Sequence, residues 1–425
     1  SQLAIVFLRH TPLVDVTGQP LRLWTWGLAE DGRLGRGPDS VERGVCAEAG
    51  AVEGLDGDDL AVVALGSHTA VVTAKDRLFV WGTFVAEGVG VDAAEDESNQ
   101  NAVDCAVEPA QQSLDFVPHE VACGRFVTAV VSAEGRLFAW GPNDSHQCGV
   151  RRAAMVRSMT ELELPAQTAV MHVALGEFHG LAVTAAGEVL AWGMGQGPEV
   201  STANRGEIGG LPVRDAMNQA VPRIIEAPPC VREVAAGAYF SGLVTTDGRL
   251  WTWGDNDRGQ LGHGINLPSI FRPRLIASLA ARDARIMTVS LGGFHGAAVD
   301  EEGAVLTWGD NKRGQCGQGE CATIAEPMLV DFSFPGLRCT AISCGGLFTF
   351  FEARGADEAG PPRFFACGLG RDGCLGFGQA CKRMLRPRPL PSPVTVDARA
   401  PRWARVQAGA VHAAGFAPSR DGAAS

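Results

Sequence analysis

LWTWGDNDRGQLGHG, Leu250 to Gly264, decides the fold. An apolar strand ends in Trp-Gly, about four polar residues follow, and Gly-x-Leu-Gly closes the unit. VLTWGDNKRGQCGQG, Val305 to Gly319, repeats it almost in full. Outward from these two, the same unit reads LWTWGLAEDGRLGRG (Leu23 to Gly37), LFVWGTFVAEGVG (Leu78 to Gly90) and LFAWGPNDSHQCG (Leu137 to Gly149). A degenerate copy, VLAWGMGQGPEV, starts at Val189, and a last one, FFACGLGRDGCLGFG (Phe364 to Gly378), has Cys367 in the Trp place. The glycines after the aromatic are Gly27, Gly82, Gly141, Gly193, Gly254, Gly309 and Gly368, spaced 52 to 61 residues apart. That is the period of a supersecondary repeat.

A second element precedes most copies. In VALGEFHGLAVTAAGEVLAWG (Val173 to Gly193) and VSLGGFHGAAVDEEGAVLTWG (Val289 to Gly309), two apolar strands flank a Gly-x-x-His-like turn, and a tight Gly turn leads to Trp-Gly. Turns such as Thr246-Asp247-Gly248-Arg249 put Gly where a hairpin needs positive φ. Strands joined this way read as the inner hairpin of a four-stranded blade. One blade cannot bury both faces alone, but blades packed around an axis can, and closure protects their edges. The chain therefore reads as one all-β, seven-bladed propeller spanning residues 1–425. Val406 to Ala417 is a Gly-x-x-His element without its Trp-Gly strand, and Leu23 to Gly27 is a Trp-Gly strand without the element before it. Together the two termini make one blade and close the ring. Residues 418–425 read as a C-terminal tail.

The 425 residues are 46% hydrophobic and 20% charged, with 54 Gly and a net charge of -12. Such a balance disfavours direct binding to nucleic acid. Glu87 to Asp115 holds eight acidic residues and no Lys or Arg, and reads as an acidic surface loop. It is also a candidate arm for a basic partner such as a histone. Lys382, Arg383, Arg386 and Arg388 form a weak basic patch near prolines. The 12 Cys form no Cys-x-x-Cys pair or zinc spacing, and Cys123, Cys344 and Cys367 sit in apolar runs, as buried reduced thiols do. This fits a reducing compartment, nuclear or cytoplasmic. Asn143-Asp144-Ser145 matches a glycosylation triplet that arises often by chance. The apolar run near the start, Ala4 to Leu8, is too short for a signal or a membrane span, so neither is expected.

No covalent catalysis is expected, and no cofactor or metal. Gly368 to Gly373 matches Gly-x-Gly-x-x-Gly, but it lies in the repeat register and opens no helix. There is no Gly-x-Ser-x-Gly elbow, no His-Glu-x-x-His pair and no phosphate-cradling loop. His68, His179, His295 and His412 recur at the fourth place of the turns, which points to structural hydrogen bonds. The third place holds Phe126, Phe178, Tyr239 and Phe294. These would ring one mouth of the central channel, either packed into it or offered as binding anchors.

The Trp-Gly and Gly-Gln-Leu-Gly repeat, from about Arg22 to Phe416, resembles the regulator of chromosome condensation family. The resemblance implies a propeller that binds other proteins. The family includes exchange factors, ubiquitin-ligase modules and a plant ultraviolet photoreceptor; the photoreceptor's Gly-Trp-Arg-His turns are absent here. Ala236-Gly-Ala-Tyr-Phe240 and Ala203-Asn-Arg-Gly206 are similar, in order, to stretches of the family's exchange factor for the small GTPase Ran. On that resemblance the function is nucleotide exchange on a Ran-like GTPase, with histones or chromatin as further partners. The resemblance places a projecting wedge at Pro142 to Val150, with Asn143, Asp144, Ser145, His146 and Gln147 as partner contacts and Arg125 and Glu177 beside them. It also places a functional Asp and His at turn positions held here by Phe178 and Phe294. That departure favours the alternative, an interaction scaffold without exchange activity.

Overall fold

The computed structural model describes residues 21–29, 32–55, 60–83, 105–151, 153–166, 168–194, 219–264, 267–331, 336–355, 362–378, 381–391, 405–410 and 412–418. The chain opens with β1 (Leu21–Leu28), the short helix α1 (Pro38–Glu42) and β2 (Val45–Ala51). Blade 2 follows as β3 (Leu60–Leu65), β4 (His68–Thr73), β5 (Leu78–Thr83) and β6 (Cys105–Gln112). Blade 3 is β7 (Pro118–Cys123), β8 (Thr128–Ser132), β9 (Leu137–Pro142) and β10 (Met155–Glu161). Blade 4 is β11 (Val170–Leu175), β12 (His179–Thr184), β13 (Val189–Gly193) and β14 (Gln219–Ile224). Blade 5 is β15 (Val231–Ala236), β16 (Phe240–Thr245), β17 (Leu250–Gly254) and β18 (Ile270–Leu275), followed by α2 (Ala277–Ala280). Blade 6 is β19 (Ile286–Leu291), β20 (His295–Asp300), β21 (Val305–Gly309) and β22 (Ile324–Leu329). Blade 7 is β23 (Leu337–Cys344), β24 (Phe348–Gly355), β25 (Arg363–Leu369) and β26 (Arg383–Pro389), and the chain returns through β27 (Arg405–Ala408) and β28 (His412–Pro418).

The protein is a seven-bladed β-propeller. Blades 2 to 7 are simple antiparallel meanders, and blade 1 has the order β2-β1-β28-β27, two strands from each end of the chain. Seven residue pairs join β1 to β28, from Leu21↔Pro418 to Gly27↔His412. Pro418 thus belongs to the closing strand and not to a tail.

The second and third strands are sandwiched between neighbouring blades, so β4, β12 and β16 are buried at every position. They read as continuous apolar runs for that reason. Outer strands face water on one edge, and five of them carry proline: Pro109, Pro222, Pro273, Pro327, and Pro387 with Pro389. Proline cannot donate to a further strand, so these edges resist pairing with another sheet. The expected acidic loop is shorter than Glu87 to Asp115. Its last part, Cys105–Gln112, is the outer strand of blade 2, paired with β5 through Phe79↔Gln111 and Gly82↔Ala106. Residues 87–104 and the Ala203 to Gly206 stretch lie outside the described residues.

The repeat motif has a packing reason. In the described loops of blades 1, 3, 5 and 7 the last Gly of Gly-x-Leu-Gly, or its counterpart Gly149, sits against the Trp of the next blade, and in blade 6 Gly317 sits against Cys367. A methyl group on Gly262 would lie 3.1 Å from the Trp308 ring. The Trp308 indole donates to the Gln260 carbonyl (2.8 Å), and Trp192 does the same to Gln147 (3.0 Å). Cys367 keeps this bond in blade 7, its thiol reaching the Gln315 carbonyl at 3.3 Å.

Candidate functional site

The turns between first and second strands and the loops between third and fourth strands lie on one face, because consecutive strands are antiparallel. At its centre is the channel mouth, about 390 Å3, lined by all seven turns. The first residue of each turn is glycine, and the seven form a closed ring. A methyl on Gly66 would meet the Gly124 carbonyl oxygen at 2.0 Å, on Gly176 the Gly237 oxygen at 2.5 Å, and on Gly292 the Gly345 oxygen at 2.3 Å. Close approach of backbone to backbone leaves no room for a side chain.

Two sets of hydrogen bonds stitch blade to blade here. Backbone bonds cross most seams: Ser67 N to Gly124 O (3.3 Å), Ala238 N to Gly292 O (3.3 Å), Gly346 N to Ala410 O (3.1 Å) and Ala410 N to Gly66 O (2.9 Å) among them. The turn histidines add the second set. His412 Nε2 meets Thr69 Oγ1 (3.0 Å), His68 meets Thr128 (2.7 Å), His179 meets Ser241 (2.9 Å) and His295 meets Thr349 (2.8 Å). All four rings are buried. Burial lowers His68, His179 and His295 to about 4 and His412 to about 3, so all are neutral at pH 7. Their structural role is the one the recurrence predicts, with one correction: His68 holds the third place, because the blade 2 turn is a residue shorter. Gly66 N bonds His68 O, whereas Gly176 N bonds His179 O.

The seam between blades 3 and 4 is built differently. Val127 stands at the histidine place, and among the described residues no backbone bond crosses the ring there. Charges replace both. Arg125 pairs with Glu177 at the mouth. Deeper in the channel, Glu120 Oε1 lies 2.5 Å from His172 Nδ1. Burial acts to lower the His172 pKa, but Glu120, aided by Glu233, holds it up at about 9. Burial pushes Glu233 up, opposed by its bond from Thr288 (3.0 Å).

Outside the glycine ring runs an arc of half-buried apolar side chains: Phe126, Phe178, Tyr239, Phe294 and Leu347. Phe178, Tyr239 and Phe294 stack in series, with ring centroids 5.9 Å apart at both steps. Arg125 lies over Phe126 (5.2 Å), and Arg258 covers Phe294 (3.9 Å) while pairing with Asp310 (3.1 Å). The rings therefore neither plug the channel nor stand fully free. Leu347 and Arg258 were not foreseen; Gly345-Gly346-Leu347-Phe348 does read in register with the other turns.

The segment that the resemblance names as a wedge bonds largely to itself. Pro142 to Val150 is the repeat's own closed turn. Asn143 donates to the Val150 and Ala153 carbonyls (2.8 and 2.6 Å) and accepts from Cys148 N (3.0 Å). Gln147 accepts from Ser145 N and donates to Asp144 (both 2.8 Å). Blades 5 and 6 share the core of this pattern: Asn256 and Asn311 accept from Leu261 N and Cys316 N, and Gln260 and Gln315 accept from Arg258 N and Arg313 N. Asn143, Ser145 and Gln147 are buried, Asp144 is exposed and His146 half-buried. The side chains of Asn143 and Gln147 are thus used inside the turn.

Seven closed blades with aromatic-sealed seams and a stacked aromatic arc around the channel mouth define a propeller of the Trp-Gly repeat class. The chain belongs to the RCC1-like domain family, whose profile matches residues 10–415. It is 27% identical over 327 residues to the E3 ubiquitin-protein ligase HERC2 of Mus musculus, covering 76% of this chain and 6% of the ligase. The chain thus spans a small part of that relative's length. It is 27% identical over 366 residues to the ultraviolet-B receptor UVR8 of Arabidopsis thaliana, covering 84% of this chain and 75% of the receptor. Among solved structures it is similar to Prp20p of Saccharomyces cerevisiae, described with its binding properties to Gsp1p and histones. That match has a TM-score of 0.76 and 17% identity, covers 99% of this chain and 97% of Prp20p, and shows the shared fold.

Proposed function

We propose that this chain is a protein-docking propeller that binds a folded partner on its turn face without covalent chemistry. The stacked arc Phe178, Tyr239 and Phe294 carries this reading. Half-exposed aromatics held at fixed spacing on a rigid ring lose little freedom on binding and are the side chains that dominate interface energetics. A photocrosslinking residue at position 239 should yield discrete adducts with a partner, and Phe178→Ala with Phe294→Ala should remove them. A crosslinker at Val117, near the opposite end of the channel, is the control. Equal adducts from both positions would refute docking on this face.

The more specific reading is exchange on a Ran-like GTPase. The family supports it, as does the Ala236 to Phe240 stretch. The propeller would bind the nucleotide-free GTPase and, by reciprocity, weaken its hold on nucleotide. Two observations favour docking without exchange. Phe178 and Phe294 offer neither charge nor hydrogen bond where the family's Asp and His would act. Asn143 and Gln147 of the Pro142 to Val150 turn spend their side chains within it. Release of a fluorescent guanine nucleotide from Ran separates the two: docking alone leaves the rate unchanged, and strong acceleration establishes exchange. Histones remain part of the family-based proposal, and the buried thiols support a reducing compartment, nuclear or cytoplasmic.

A further inference from the structure

We infer that the rim of the turn face at blades 6 and 7 is a docking site for an acidic peptide segment of a partner protein. This rests on the docking reading above and supplies the chemistry of what docks. Lys312 and Arg313 stand exposed on the blade 6 loop. That loop is seated on the outer strand of blade 7. A methyl on Gly314 would touch the Met384 carbonyl oxygen and the Leu385 side chain at 2.8 Å, and Gly319 N bonds the Leu385 carbonyl (2.8 Å). Exposed Lys382 and Arg383 are the next residues along that strand. Arg383 pairs with Leu369 in the ladder, and Gly370 N bonds the Lys382 carbonyl (3.0 Å), which brings exposed Arg371 alongside.

Five cations thus share one stretch of surface on a chain of net charge -12. None of the five forms an ion pair among the described residues. Their neighbours do: Arg258 is tied to Asp310 (3.1 Å) and Arg386 to Asp331 (3.6 Å). The other carboxylates of the two loops are Glu320 and Asp372. Unpaired like charges repel one another and cost stability unless a partner uses them.

The rim is apolar on its inner side. Leu369 N bonds the Leu347 carbonyl (2.9 Å), so the basic surface runs directly into Leu347 and then Phe294. Cations outside and apolar side chains inside match a segment that carries carboxylates next to a Leu or Phe. A nucleic acid presents a continuous charged backbone, which an acidic protein repels over the rest of its surface.

The test uses the full chain and a fluorescein-labelled 12-residue peptide of Asp and Glu around a central Leu-Phe pair. Its Asn/Gln counterpart and a dT oligonucleotide of equal length serve as controls, all read by anisotropy. The acidic peptide should bind, weaken as salt rises, and outbind both controls by tenfold or more. Lys312→Glu, Arg313→Glu and Arg371→Glu together should weaken it tenfold or more with the melting temperature unchanged, since all three side chains are exposed. Equal binding by the variant, by the neutral peptide or by the oligonucleotide would overturn the assignment, as would no binding of the peptide. Loss of binding in Phe178→Ala/Tyr239→Ala alone, with the charge-reversed variant unaffected, would leave the docking face standing and remove only the acidic rim.

Discussion

Single atoms decide several features of this ring. At Gly292 the next carbonyl lies 2.3 Å from where a methyl would sit. Gly292→Ala should therefore cost about 1–3 kcal/mol, as overpacking of a tight site does, and a lowered urea midpoint would show it. The turn histidines set the pH response. Their folded pKa values lie near 4 while the unfolded value is near 6.5. As pH falls from 6.5 to 4, the unfolded chain takes up protons that the folded chain resists, so stability falls across that window. His172 works in the opposite sense: raised to about 9, it stabilises fully below pH 6.5 and loses that contribution as pH rises through 9. Stability should peak near neutral pH. His179→Phe, which copies the Phe240 of blade 5, should flatten part of the acid limb; an unchanged limb would mean these rings do not cause it. The histidines' role was legible from their recurrence alone. The fate of Asn143 and Gln147 was not, because a polar residue in a loop reads as surface until its partners, five to ten residues after Asn143 and two to three before Gln147, fold against it.

Blades and seams form the next scale. Strand pattern and turn glycines make each blade legible one at a time. A seam joins residues a whole repeat apart, and the sequence carries no sign that Glu120, His172 and Glu233, 52 and 61 residues apart, will meet. Among the described residues the blade 3 to 4 seam has charge where most of the glycine ring has backbone bonds, and its two ion pairs should differ in worth. Arg125 is half exposed, so Arg125→Met should change stability by about 0.5 kcal/mol or less. Glu120 is more buried and holds the proton on His172. Glu120→Gln, which keeps its shape, should cost about 1–3 kcal/mol and move the alkaline limb to lower pH. Urea titrations of both variants at pH 7 and 9 would test this. Equal effects would show that depth in the channel does not set the strength of these pairs.

The whole molecule is held by its closure. Blade 1 takes β1 and β2 from one end of the chain and β27 and β28 from the other. That arrangement was legible from two half-repeats at the termini. Removing residues 405–425 would leave β1 paired with β2 alone and open two blades to water. The shortened chain should lose its single cooperative unfolding step and associate through the exposed edges, which light scattering on a sizing column would detect. A monomer with an unchanged melting curve would argue that the ring holds without its seal.

The short turn of blade 2 has a consequence for orientation. Seven near-identical turns would present a partner with rotationally degenerate poses, each shifted by one blade. Were the poses equal, choosing one would forgo about 1.1 kcal/mol of mixing entropy, RT ln 7. Gly66-Ser67-His68 lacks the residue that bears the side chain of the arc, so the apolar crescent has a gap and hence a beginning and an end. The missing residue breaks the symmetry of the disc and keys whatever lands on it to a single angle.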